Sequence, residues 1–385
     1  MKIATNIHRD AFGGITISNL ALFDWLEDKD DTIVGIEYLT TRAISGAVIF
    51  RRFDPSFFSH HIINGLDIFT KYPWTTTTRL RKKWAVLIEA TKEVLRQTAP
   101  DVVLLNGTYF APWILGQAAH ELGIPIVLRY AGVLKREMEH ENFFVRRRLF
   151  AHERWLALHA ARLIFPSALC RQVVEKEILK HPATDGVVIP NPATAQEISG
   201  TRRGRRNRRF TIATIGRWSR NKNFQAFVAM HRALLRAPWP HRAILVTSFR
   251  DKQFDVPETI EWKEPMSQDA LHAFYRSMDL LVVPSRFETF CNVAAEALVN
   301  GTSVLVSKNV GLAEGLKKVG LGRMVIDSFD DPEKVSTAVR RLAKTRVTAK
   351  EQAMVRAWLD PHSVHERILH VLAGVLSPKE DFPPH

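Results

Sequence analysis

Residues 280–307, LLVVPSRFETFCNVAAEALVNGTSVLVS, decide the fold. Leu280 to Pro284 reads as a buried strand, the polar stretch after it as a loop, and a helix starts near Cys291. TSVLVS then reads as the next buried strand, so the unit is strand, loop, helix, parallel strand. Glu288 falls in the loop and Glu296 in the first turns of the helix, with seven residues between them. Carboxylates so placed stand at the carboxyl end of a sheet, where α/β proteins hold polar ligands.

The same alternation extends outward through both halves. KIATNI, TIVGIEYL, AVIFRRF, DVVLLN, IPIVLRY, LIFPS and GVVIP read as strands of the first half. Residues 78–98 place Leu80, Trp84, Leu87, Thr91 and Leu95 on one stripe of an amphipathic helix. The helix APWILGQAAHELG closes on a glycine, and a charged helix of about 20 residues follows from near Lys135. NPATAQEISGTRRGRRNRR shows no hydrophobic period and reads as a linker. A fresh pattern begins at RFTIATIG and continues through AILVTSF, TIEWKE, DLLVVPS and TSVLVS to a helical stripe of Val364, Ile368, Val371 and Leu372. The expectation is two doubly wound α/β domains facing each other across a cleft.

Composition narrows the partners. A chain of 385 residues suits two domains of about 200 or fewer each. Hydrophobic content of 46% and charged content of 24% are those of a soluble globular protein, and no run is apolar enough to span a membrane. Cys170 and Cys291 show no paired spacing, which speaks against a disulfide framework or a cysteine zinc site and for a reducing, cytoplasmic compartment. MKIATNIHRDAFGG carries no secretory h-region. The net charge of +14 gathers at Arg79–Lys83, Arg146–Arg148 and Arg202–Arg209. Such surfaces attract phosphates, on nucleic acid, anionic lipid or a phosphorylated substrate. No stacking motif or finger spacing accompanies the charge, so nucleic acid is disfavoured against an anionic membrane surface bearing a lipid-linked acceptor. The plain alternative is a solvated basic face.

Three further positions carry chemistry. Gly216 lets the chain turn out of RFTIATIG, and Arg217 and Lys222 follow in the loop RWSRNKN, where a fork and a point charge can neutralise a diphosphate. Two exposed cations of a basic protein would look the same. Gly13 and Gly14, at the first strand-to-helix turn, allow backbone amides to approach an anion, although a glycine pair also simply makes a turn. They lack the full dinucleotide-binding pattern, which gives no support to a nicotinamide enzyme. Glu288 and Glu296 can accept hydrogen bonds from sugar and ribose hydroxyls. Otherwise Glu288 is a favourable charge at a helix N-terminus and Glu296 a solvated helix residue.

Together, GGI near the N-terminus, GRWSRNKN and PSRFETFCNVAAEAL resemble the retaining glycosyltransferases of family 4. PDVVLLN, GIPIVLRYAG, ARLIFPS, VVIPNP and the final WLDPHSVHERILHVL fit the same family in order. The resemblance implies the GT-B fold: an acceptor domain at 1–195, a donor-nucleotide domain at 196–360, and a C-terminal helix and tail at 361–385 returning to the first domain. It implies that Arg217 and Lys222 bind the donor diphosphate and stabilise the leaving nucleotide, while Glu288 contacts the donor sugar. The backbone at Phe290, Cys291 and Asn292 would hold sugar or phosphate oxygens, Glu296 the ribose, and Gly13 and Gly14 would close on the phosphates. The reaction implied is hexosyl transfer from a nucleotide-diphosphate sugar to a glycan or lipid-linked hydroxyl, with retention, no metal and no cofactor.

Two positions depart from the family pattern. Ala131 stands where a histidine is common, with His140 nine residues on, and Cys291 stands where glycine is common. The competing expectations are an epimerase of the same fold and a non-catalytic basic docking protein.

Overall fold

The described residues of the computed structural model are 1–8, 14–39, 52–65, 77–138, 143–195, 209–236, 239–248 and 256–376. The chain divides into two compact units, Met1–Pro190 together with the chain from His362, and Asn191–Pro361.

The first unit carries seven parallel strands: β1 Lys2–Ile7, β2 Thr32–Leu39, β3 Phe58–Asn64, β4 Val102–Asn106, β5 Ile126–Arg129, β6 Arg162–Phe165 and β7 Gly186–Val188. Their order is β3-β2-β1-β4-β5-β6-β7. The central strands β4 and β5 are fully buried, and apolar except for Asn106 and Arg129 at their ends, because helices cover both faces, as parallel crossovers require. Helix Thr77–Thr98 turns Leu87, Thr91 and Leu95 inward, and the Thr91 hydroxyl meets the Tyr38 hydroxyl at 3.0 Å. Helix Phe110–Glu121 closes on Gly123, whose φ of +70° is the left-handed turn a glycine adopts without penalty. Helix Pro361–Gly374 adds Val364, Ile368 and Leu372 to the core formed by Ile3, Ile7, Phe23, Leu26 and their neighbours.

In this unit one expectation lies largely outside the described residues and one fails. AVIFRRF, expected as a strand, lies outside the described residues up to Arg51, and Arg52–Phe53 are not extended. The third described strand is FSHHIIN, which pairs with β2 at the sheet edge. An edge strand tolerates polar residues, and His60 uses this freedom to sit 3.0 Å from the buried Glu37. The charged helix from Lys135 is two helices, Leu134–Glu137 and Phe143–His159, with 139–142 outside the described residues.

The second unit has six parallel strands, β8 Phe210–Ile215, β9 His241–Val246, β10 Ile260–Lys263, β11 Leu280–Val283, β12 Ser303–Ser307 and the short β13 Val325–Ile326. The order β10-β9-β8-β11-β12-β13 reverses direction between β8 and β11. There the loops leaving two adjacent strands diverge and open a crevice at the sheet's carboxyl edge. The two α/β units are the architecture that the alternating strands and helices implied.

Candidate functional site

The loops that follow β8 and β11 meet at this crevice. Gly216 ends β8, and a side chain there would come within 3.2 Å of the Lys222 Cδ, so the missing Cβ makes room for the lysine stem. Asn221 then ties the loops together. Its carbonyl accepts from Arg286 N at 2.8 Å, its side-chain oxygen from Phe287 N at 3.2 Å, and its amide donates to the Phe287 carbonyl at 2.8 Å. Asn223, in the left-handed region at φ 52°, donates from its side chain to the Pro284 carbonyl at 3.2 Å. The sequence named the charged residues of this loop and missed the two asparagines that shape it. The signal was present: asparagine at alternate positions of a strand-to-helix turn marks local backbone capture.

Lys222 Nζ donates to Glu288 Oε1 at 2.7 Å, with both side chains mostly buried. Glu288 is fixed from its other side as well. Its N–H donates to the Asn309 carbonyl at 3.1 Å and its own carbonyl accepts from Gly311 N at 2.9 Å, bridging the chain to Val310. Three loops, after β8, β11 and β12, therefore set one cation and one carboxylate at hydrogen-bond distance. Arg217 lies exposed on the first of these loops.

The helix of this segment runs Asn292–Val299, and Cys291 is its N-cap at φ 91°. An L-residue in that region is strained, which is the physical reason a glycine suits the position. The Cys291 thiol is buried and pushed up to about 12, by burial first and by Glu288 next, so it stays protonated. Phe290 puts its ring into the core, and its carbonyl accepts from Leu312 N at 3.0 Å. The Asn292 side chain accepts from Asn191 at 2.8 Å, so the asparagine of the IPN stretch steadies the first helical residue. The first-turn amides of such a helix point toward the crevice end of the segment.

Glu296 is not the solvated helix residue it could have been. Its carboxylate accepts from the Tyr275 hydroxyl at 2.8 Å and from Gln268, and burial raises its pKa. Tyr275 and Gln268, on helix Gln268–Ser277, belong to the site but gave no sequence signal.

In the first unit, Gly14 opens helix Gly14–Leu26, whereas Gly13 lies outside the described residues, as does His140. The strand order reverses between β1 and β4, and there Asn6 and Asn106 exchange hydrogen bonds at 2.9 and 3.1 Å. Ala131 sits exposed in the bend after β5. That bend is held by Glu153, fully buried on helix Phe143–His159, which accepts from Leu134 N at 3.1 Å and from the Thr108 hydroxyl at 3.3 Å. Burial pushes Glu153 up to about 7, while the Leu134 and Lys135 amides pull the other way. Among the described residues no group of three side chains is placed to hold a metal ion.

Profile comparison places residues 36–197 with Glycosyltransferase Family 4 and residues 209–345 with Glycosyl transferases group 1. The chain belongs to this group of glycosyltransferases. Over 177 residues it is 28% identical to the lipopolysaccharide 1,2-N-acetylglucosaminetransferase of Salmonella typhimurium, a match covering 40% of this chain and 46% of that protein. The chain thus matches less than half the length of that curated relative. Among solved structures it resembles a sucrose-phosphate synthase from Thermosynechococcus elongatus, with a TM-score of 0.74 at 16% identity over 97% of this chain and 99% of that one. Anabaena HepE in complex with UDP and glucose superposes with a TM-score of 0.69 at 16% identity, over 96% of this chain and 99% of the other. At such identities the likeness is one of fold, and the fold is GT-B.

Proposed function

We propose that the chain is a retaining glycosyltransferase that moves a hexose-type sugar from a nucleotide-diphosphate sugar to a hydroxyl of a glycan or lipid-linked acceptor, without a metal. The observation that carries this reading is the Lys222–Glu288 pair at the β8/β11 switch point, stapled by Asn221, with Glu296 in the helix that follows. In it, Lys222 and Arg217 bind the donor diphosphate, and their charge takes the place of a metal as the nucleotide departs. Glu288 accepts from sugar hydroxyls, and Glu296, held by Tyr275, keeps acceptor capacity for the ribose. The amides at Phe290, Cys291 and Asn292 receive sugar or phosphate oxygens. Rate enhancement comes from stabilising the departing diphosphate and positioning the acceptor hydroxyl.

The UDP and glucose in the HepE structure and the sugar-transferase name of the Salmonella relative support this choice of substrate class. No described helix is long and apolar enough to cross a membrane, and the net charge of +14 suits a protein that works in the cytoplasm, peripherally at an anionic inner membrane face.

The test is a panel of UDP-, GDP- and ADP-sugars, read by thermal shift and by slow donor hydrolysis. One nucleotide class should stabilise the protein, and Lys222→Ala and Glu296→Ala should each weaken that effect by roughly tenfold or more in affinity. A protein that no nucleotide stabilises, with both variants behaving like the parent, would sink the reading.

A further inference from the structure

One face of helix Gln268–Ser277 carries polar side chains where it meets helix Asn292–Val299. Gln268, His272, Tyr275 and Arg276 share that face at helical spacing. Two of them meet Asn300, whose side-chain oxygen accepts from Arg276 at 3.1 Å and whose amide donates to His272 Nδ1 at 3.0 Å. The same amide donates to the Glu296 carbonyl at 2.9 Å, so this end of the face joins the two helices. Gln268 and Tyr275 instead reach the Glu296 carboxylate, the phenol at 2.8 Å. Tyr275 is fully buried, and its backbone carbonyl accepts from the Thr302 hydroxyl at 2.5 Å, which fixes the base of the side chain. A phenylalanine would pack in the same place, so what the hydroxyl adds is its bond to Glu296.

Glu296 itself keeps partial exposure, so a ligand can reach it. An ionised carboxylate offers about four acceptor positions, of which the phenol and the amide fill two. The remainder suits two hydroxyl donors on neighbouring carbons. A protonated carboxyl would present a donor in place of one acceptor and would match such a diol less well. Burial raises the Glu296 pKa and favours that protonated form, whereas the bonds from Tyr275 and Gln268 lower it. The surrounding titratable groups are set otherwise. Burial keeps the Tyr275 phenol and the Cys291 thiol protonated, His272 and Arg276 are turned to Asn300, and Arg356 of helix Ala349–Trp358 donates to the Val299 carbonyl at 3.0 Å.

We propose that Tyr275 and Gln268 are positioning residues that hold Glu296 as an acceptor for two hydroxyls, and that through it they select ribonucleotide donors over their 2′-deoxy counterparts. This rests on the transferase reading above, which puts the donor ribose at Glu296.

Calorimetric titration of the full chain with UDP, GDP and ADP and with their 2′-deoxy counterparts, across about pH 5.5 to 8.5, tests the inference. The nucleotide class that binds should do so roughly tenfold more tightly than its 2′-deoxy form at the alkaline end. That preference should fade as pH falls and Glu296 takes up a proton. In Tyr275→Phe it should fade at a higher pH than in the parent, because one of the bonds that favour the carboxylate is gone. Gln268→Ala, at a partly exposed position in the first turn, should shift the profile in the same direction without disturbing the core. Glu296→Gln, which has no proton to gain, should show no pH-dependent preference. A merely structural role would weaken ribose and deoxyribose forms alike at every pH. Variants whose preference fades at the parent's pH, or a parent that binds both forms equally throughout, would overturn the inference and leave the transferase reading intact. A parent that binds none of the six nucleotides sinks that reading and this inference with it.

Discussion

Replacing Asn221 by alanine removes two side-chain hydrogen bonds that join the β8 and β11 loops, at 2.8 and 3.2 Å. Each is worth about 1 kcal/mol, so the stability cost should be modest. The cost to the site should be larger, because Lys222 is the next residue along the loop and Glu288 follows Phe287. Asn221→Ala should lower donor affinity at least tenfold while shifting Tm by only a few degrees. Equal losses of Tm and affinity in this variant would argue that Asn221 is structural only. At this scale the sequence displayed Arg217, Lys222, Glu288 and Glu296, since charges in a polar loop stand out. It hid Asn221, Asn191 and Tyr275, whose roles depend on partners 66, 101 and 21 residues away. A hydrogen bond across that separation leaves no local pattern.

Helix Phe143–His159 carries two adjacent buried groups that titrate in opposite senses. His152 packs flat on Trp113, ring centres 4.0 Å apart, and burial drives its pKa down to about 3. As pH falls below its ordinary 6.5, the unfolded chain takes up a proton that the folded one refuses, and stability drops. Glu153 is raised from 4.5 to about 7, so the folded chain keeps a proton that the unfolded one releases, and stability drops as pH rises across that range. Together they predict a plateau between pH 4.5 and 6.5, flanked by a loss of about 2 kcal/mol toward pH 3 and a smaller one, under about 1 kcal/mol, toward pH 7. Glu153→Gln should remove the alkaline loss, so its Tm relative to the parent should be higher at pH 7.5 than at pH 5. An unchanged difference across that range would refute the assignment. Elements whose apolar run is long were plain in the sequence: β4, β5, β8, β11 and β12 all fall where buried runs put them. Edge strand β3 was not, because its exposed side releases it from the alternation that reveals a strand.

The second unit is inserted into the first. Helix Pro361–Gly374 returns Val364, Ile368 and Leu372 to a core otherwise built from strands β1 to β6, helix Gly14–Leu26 and the Phe53–Phe57 turn. Three buried aliphatic side chains contribute about 5–8 kcal/mol, much of what a domain has to lose. Truncation after Asp360 should therefore destabilise the first unit while the second keeps its fold. Limited proteolysis with mass spectrometry would show cleavage concentrated between Met1 and Pro190; a truncated chain as resistant there as the parent would contradict this. The two α/β units were legible because the helical and strand periods alternate through both halves. The topological order was not, since no periodicity states which strand lies beside which. The returning helix also has a temporal consequence. On a ribosome the second unit has all its residues in hand before the first unit receives its last core segment. The part of the first unit made earliest is the part whose packing finishes last, so it must wait, partly open, until Leu372 has emerged.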